Sequence, residues 1–339
     1  MATQHSLERT PAAAGAAGRL STFSICYHTV SDKPLPHVLP LYPYKTEEAF
    51  TRDMRALQRR CDFLSYDAFV ERRTSKRTTG RPGVLLTFDD GLSECYTIVR
   101  PILKKLGIPC VFFVTTGFLD NRAMFYRGKA ALCVDRLQGL SEAKARDCVR
   151  ACSETFGWEF PDRFALMRWL LSLHGRHEFR LDAACEVVGV DVEAYLRTRR
   201  PFMTTEQVCT LHGEGFTIGA HTVFHPKLAL QTRARAKREI VDSCRTVSAL
   251  TGASDVPFAF PFSGDGIERT FLAEIRARHR FVGLLFDIFG HAEPEAGRRK
   301  DRAFIVQRLA CDTNAFARKG RSNMGALLVA GYGSGVTGM

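Results

Sequence analysis

Val84–Phe88 is a run of β-forming side chains that halts at Asp89-Asp90-Gly91, and the next apolar run, Cys110–Thr115, comes only after a stretch of helical spacing from about Ser93 to Leu106, closed by Gly107. Strands joined through a helix make a crossover unit, whose strands lie parallel. The same rhythm starts earlier. Thr22–Tyr27 is a short apolar run ending in Tyr27-His28, followed by a Pro-rich loop to Pro43 and a helical pattern over Thr46–Arg60. Phe50, Met54 and Leu57 share one face of that helix, Thr46 can cap it, and Glu47 and Glu48 fill its first turn. The rhythm returns after residue 200. Thr204-x-x-Gln207 reads as a capping box opening a helix to His212. Phe216–Ala220, Val256–Phe262, Phe281–Phe286 and Phe304–Leu309 read as strands, and Thr232–Leu250 as a long basic helix. Repeated strand–helix alternation predicts a parallel α/β architecture.

The middle of the chain breaks the pattern. Residues 121–200 hold few β-rich runs, and Ser141–Cys152 and Asp162–His174 both have helical spacing. We expect a helical insertion there, between barrel elements, with Phe125-Tyr126-Arg127 at its start facing the substrate. Remote helical packing, with Trp158 and Trp169 as core, is the plain alternative. Residues 1–20 read as a flexible leader, 21–319 as the barrel carrying the insertion, and 320–339 as a loose Gly-rich tail.

Composition narrows the class. With 339 residues, 45% of them hydrophobic, the chain can bury one large barrel. No apolar run reaches the roughly 18–20 residues of a membrane span. The first residues lack the continuous apolar core of a secretory signal, so a cytoplasmic address is expected. The net charge of +12 fits an anionic partner or a basic enzyme surface. The basic stretches are scattered, and no zinc-finger or RNA-binding signature interleaves them, which argues against a specific nucleic-acid partner. Eleven cysteines without a C-x-x-C pair indicate neither a disulfide framework nor a thiolate metal site.

Two clusters carry chemistry. Asp89 and Asp90 end a buried strand, where active sites of parallel α/β folds gather. Adjacent carboxylates there are costly unless a cation or proton separates them. A turn at Gly91 would let both look into one mouth. The second cluster is His221-Thr222-Val223-Phe224-His225, directly after a strand. Two histidines four apart on a helical turn share a face and can grip one metal. One carboxylate and two imidazoles make an open three-ligand site, the catalytic zinc pattern. The other carboxylate is then free to take a proton.

These motifs resemble those of the polysaccharide deacetylases of the NodB-homology type, a carbohydrate esterase family. Thr87-Phe88-Asp89-Asp90-Gly91 resembles the first family motif, the His221–His225 segment the second, and Phe258-Ala259-Phe260-Pro261-Phe262 the third. Tyr27-His28 and Gly107-Ile108-Pro109 sit where such enzymes carry similar residues. The resemblance covers roughly Thr22–Phe125 and Met203–Asp312. It implies a distorted (β/α)7 barrel and a metal held by Asp90, His221 and His225. Zn2+ is the first expectation, with Co2+, Ni2+ or Mn2+ as alternatives. It also implies that Asp89 is general base on the metal-activated water, and that a backbone N–H near Phe262 stabilises the oxyanion. The implied reaction removes an N-acyl group, acetyl foremost, from an amino sugar, glycan or carrier-linked glycan.

Two features depart from the family pattern. Ala259 holds the place of the arginine that often orients the base in the third motif. We expect Arg308, near the end of Phe304–Leu309, to supply that guanidinium, which requires it within about 6 Å of Asp89. The late Leu-x-His motif is also missing, since Arg308-Leu309-Ala310-Cys311 occupies its region. His28 and His291 remain as candidates for the general acid. The departures keep two other readings open: an O-acetyl esterase using the same site, and a glycan-binding barrel with little or no turnover. Oligomeric state is not readable from the sequence.

Overall fold

The computed structural model describes residues 22–74, 80–288 and 304–312; the expected leader, the expected tail and His291 fall outside them. Eight strands are described: β1 Thr22–Tyr27, β2 Asp62–Phe63, β3 Gly83–Phe88, β4 Val111–Val114, β5 Thr217–Ala220, β6 Val256–Ala259, β7 Val282–Ile288 and β8 Ile305–Ala310. The helices are α1 Glu47–Gln58, α2 Tyr66–Thr74, α3 Arg100–Leu106, α4 Tyr126–Gly139, α5 Glu142–Phe156, α6 Arg163–Ser172, α7 Glu178–Val188, α8 Val192–Arg199, α9 Thr205–Gly213, α10 Arg233–Thr251 and α11 Arg269–Arg278. A wider turn, Cys95–Val99, leads into α3.

Seven parallel strands close into a ring, in the order β1-β3-β4-β5-β6-β7-β8 and back to β1. Closure rests on the register Ser24↔Arg308 on one side of β1 and Ser24↔Leu85 on the other. The short β2 adds to β3 at its lower end, Asp62 opposite Gly83. This is the (β/α)7 barrel that the family resemblance implied, and its strands are parallel as the strand–helix rhythm predicted.

Period-two alternation sorts most apolar strand residues between two cores. Val84, Leu86 and Phe88 of β3, Phe112 and Val114 of β4, and Ile218 and Ala220 of β5 pack outward against α1, α3, α9 and α10. Leu85 of β3, Val111 and Phe113 of β4, Ala259 of β6, Leu284 and Phe286 of β7 and Val306 of β8 fill the lumen. Leu64, Tyr66 and Phe69 join that inner core, so β2 and α2 plug the end of the barrel opposite the Asp-Asp-Gly turn. At Gly219 the lumen leaves no space for a side chain, because a Cβ would lie 2.4 Å from the Phe113 ring.

Helices α4–α7 pack on one another around their own apolar cluster, which includes Cys133, Leu137, Leu166, Leu170 and Leu181. Trp169 lies against that cluster, but Trp158 is 63% exposed and is not part of a core. Among the described residues no helix is long and apolar enough to cross a membrane.

Candidate active site

The inward rows lead directly to the barrel mouth. Leu85 and Thr87 point inward, so Asp89, two residues on, does the same. Val306 puts Arg308 inward by the same count, and Ser24 and Cys26 put His28 there. All three arrive at the C-terminal ends of their strands, at one mouth.

Asp89 and Arg308 meet as a buried, two-pronged pair, 1% and 0% exposed. Arg308 donates from Nη1 to Asp89 Oδ1 at 2.6 Å and from Nη2 to Oδ2 at 2.7 Å. Its Nη1 also reaches the Thr87 hydroxyl, and its guanidinium lies 5.2 Å from the centre of the Phe113 ring. Burial alone would raise the Asp89 pKa. The adjacent guanidinium, with His221 and His28, outweighs it and holds the carboxyl below its ordinary value. Ala259 carries no such group, so the guanidinium beside Asp89 comes from β8.

Asp90 leaves the strand with φ 71°, and Gly91 follows with φ 75°. Those two left-handed residues turn the second carboxylate back into the mouth, which a continuing strand would not allow. Asp90 Oδ1 lies 3.4 Å from His221 Nε2 and 3.1 Å from His225 Nε2. Its Oδ2 accepts from the Tyr42 hydroxyl at 3.1 Å.

His221 Nδ1 donates to the Ala259 carbonyl at 2.9 Å. A carbonyl only accepts, so this bond fixes the tautomer and leaves a lone pair on Nε2. That lone pair faces Asp90 Oδ1, a buried oxygen without a hydrogen-bond partner. Burial also lowers the His225 pKa, favouring the neutral, ligating form. One ligand atom from each of the three residues lies within 4.8 Å of the others. Three buried electron-pair donors turned toward one point fit a divalent cation, and two imidazoles with one carboxylate fit zinc.

The histidine loop departs from the sequence expectation. His221 and His225 do not sit on a helical turn. The segment after β5 is irregular, with φ 66° at Thr222 and 56° at His225. Left-handed backbone at non-glycine residues costs about 1–3 kcal/mol each and persists where its surroundings impose it. His225 N–H donates to the Thr222 hydroxyl, and Thr116 and Gly117 donate to the carbonyls of Thr222 and Val223. Phe262 is also left-handed, φ 62°, which ends β6 at Ala259 instead of Phe262. Its ring packs 5.1 Å from that of His225, and its N–H is unpaired among the described residues.

His28 lies at the same mouth, its Nδ1 2.5 Å from Asp312 Oδ2 and its backbone N–H on Asp312 Oδ1. Burial works against its charge, but Asp312 prevails and raises the His28 pKa to about 9. Asp312 escaped the sequence reading. Counting by twos from Val306 and Arg308 is the signal that could have found it.

A recess of about 340 Å3, open mouth included, adjoins Asp90 and His225. Val38, Leu92, Phe118, Met124 and Phe202 give it apolar walls, and His37, Tyr42 and Thr115 add polar groups beside Asp90 and His225. His37 is 3% exposed, with Nδ1 2.8 Å from the Tyr195 hydroxyl. Burial, helped by Arg199, lowers its pKa to about 3 and keeps it neutral. Neither Tyr42 nor His37 was legible in the Pro-rich loop. The Phe125 ring lies 4.4 Å from that of His225, and Arg127 lies over Phe262 at 5.7 Å, so the start of the helical segment does face the site.

The family model for polysaccharide deacetylase matches residues 76–158 and 177–279. Among solved structures, the chain is similar to the deacetylase PplD of Streptococcus pyogenes in complex with acetate, at TM-score 0.54 and 14% identity over 88% of this chain and 95% of that one. It is also similar to IcaB from Ammonifex degensii, at TM-score 0.52 and 16% identity over 87% and 94%. A de-N-acetylase from Aggregatibacter actinomycetemcomitans aligns at TM-score 0.52 and 15% identity over 90% and 98%. At these identities the likeness is one of fold. A comparison with curated proteins gives no match.

Proposed function

This chain belongs to the polysaccharide deacetylase family, and on that premise we propose that it hydrolyses the N-acyl group, acetyl foremost, of an amino sugar or glycan with the help of a divalent metal. The observation that carries the reading is the convergence of Asp90, His221 and His225 around one point, beside an Asp89 carboxylate locked by Arg308.

A divalent ion held by Asp90, His221 and His225, zinc first, would supply Lewis acidity, making water more acidic and polarising the acyl oxygen. Asp89 takes the proton from the attacking water. Arg308 keeps that carboxylate ionised and fixes its direction, so it is a positioning residue. The oxygen of the water bonds to the acyl carbon, and the N–H of Phe262 donates to the oxyanion that forms. The C–N bond then breaks. His28, aligned by Asp312 on Nδ1, delivers its proton to the departing amine. The products are a carboxylate and a free amino sugar. The recess lined by Leu92, Met124 and Phe202 receives the acyl group, and residues 121–200 act as an insertion that walls the cleft.

The test is a panel of N-acetylated and O-acetylated sugars and oligosaccharides, incubated with zinc-loaded protein and read by mass spectrometry. Loss of an acetyl mass from an N-acetyl substrate is expected. Replacing Asp89 by Asn should lower kcat by about 10²–10⁴-fold while zinc stays bound. Release from O-acetyl substrates alone would make the protein an esterase. No release from any substrate, with retained glycan binding, would make it a binding barrel.

A further inference from the structure

Glu239 lies on α10, outside every motif discussed above, yet its carboxylate is 5% exposed. It accepts the N–H of Val223 at 2.8 Å and that of Phe224 at 3.0 Å, both on Oε2. Val223 and Phe224 lie between the two histidines of the triad. Among the described residues no cation pairs with this carboxylate. Its partners are two backbone dipoles of the ligand loop, an arrangement that makes charge-assisted hydrogen bonds.

The mounting is rigid. Thr232 caps α10 through its side chain, and Ala236, Ile240, Val241, Cys244 and Val247 press the helix onto the barrel. The held loop, by contrast, contains two left-handed non-glycine residues, Thr222 and His225. Thr116 and Gly117 grip its carbonyls from the β4 side. Glu239 grips its N–H groups from the helix side. Without the second grip, the backbone that aims His225 at Asp90 is free to relax.

We infer that Glu239 is a positioning residue for the metal: its buried carboxylate clamps the loop between His221 and His225 so that both imidazoles point at Asp90. This inference rests on the triad reading proposed above. The carboxylate touches neither substrate nor metal, and it acts by fixing where the ligands stand. Outer-shell partners of this kind govern affinity as well as geometry.

The experiment measures zinc affinity directly, by competition between metal-free protein and a chromophoric chelator. Glu239→Ala is expected to weaken zinc binding by about 10–100-fold. Glu239→Gln, which can present one amide oxygen to both N–H groups, is expected to restore most of that loss. Glu239→Asp keeps the charge but shortens the reach, so it should weaken binding even if the Ala variant fails to fold. Circular dichroism of the metal-free variants checks folding separately. An Ala variant, or in its place an Asp variant, that folds and binds zinc within twofold of the wild type would overturn the inference. A wild type that binds no zinc would overturn the triad reading itself, and that arm is read before any variant.

Discussion

His28 is a case where one residue's environment sets a measurable pH dependence. Burial opposes the imidazolium, but Asp312, joined by Asp90 and Asp89, outweighs it and raises the pKa from 6.5 to about 9. A raised folded-state pKa means that the pair's stabilisation is complete below about pH 6.5 and fades as pH climbs through about 9. At about 1.4 kcal/mol per unit, the stabilisation amounts to roughly 3 kcal/mol at most. Urea midpoints of metal-free wild type and Asp312→Asn, compared from pH 6 to 10, should differ most at the acid end and converge above pH 9. A gap that stays constant across that window would show that the ion pair is not its source. Asp89 has the opposite sign, since its depressed pKa keeps it ionised throughout this range. Such pairs are invisible to a linear reading, because His28 and Asp312 stand at opposite ends of the described chain.

At the scale of elements, caps and faces were the most legible features. Thr46 and Thr204 cap α1 and α9 as the sequence predicts, Thr204 with Gln207 forming the full capping box, and Thr232, expected inside the long basic helix, caps α10. Capping is a contact within one turn, so local residues suffice to define it. Helices α2 and α11 were missed. Tyr66 and Phe69 of α2 find their places only by plugging a finished barrel. The strand expected over Val256–Phe262 stops at Ala259, because Pro261 cannot donate to a ladder and Phe262 turns left-handed. The recess beside Asp90 is likewise a product of several elements, with Met124 and Phe125 ahead of α4, Phe202 ahead of α9 and Leu92 after β3. Removing the Met124 side chain should admit longer acyl groups. Met124→Ala is expected to raise the kcat/KM ratio of N-butyryl over N-acetyl substrate by about 10-fold or more, the scale of apolar-pocket discrimination. Competition assays with both substrates read that ratio, and an unaltered one would place the acyl group elsewhere.

For the whole molecule, the proposed metal would reinforce the barrel. Asp90, His221 and His225 come from the ends of β3 and β5, and an ion joining them would tie together strands separated by β4. A ligand that binds only the folded form stabilises it by mass action. Zinc at about 100 times its Kd should therefore raise the unfolding free energy by about 2.7 kcal/mol. Chelator should reverse the gain, and Asp90→Asn should nearly abolish it. Denaturant titrations with and without zinc check this, and equal curves for wild type would argue against a metal shared by the folded barrel.

Legible from the residues alone was whatever acts over a few positions: the strand that breaks at Asp-Asp-Gly, the helix caps and the motifs that mark the family. The parallel α/β architecture was legible because strand–helix rhythm is a local pattern repeated, and the family resemblance narrowed it to a (β/α)7 barrel. Arg308 could be nominated from the empty place at Ala259, but its bidentate seat on Asp89 exists only because β8 closes against β1, which pairs with β3. The His28–Asp312 pair, the apolar recess and the grip of Glu239 on the histidine loop likewise required tertiary structure. The His28–Asp312 pair joins the two ends of the described chain through the closed ring of strands, the recess is assembled from several elements, and the grip of Glu239 needs α10 folded back onto the barrel beside the histidine loop.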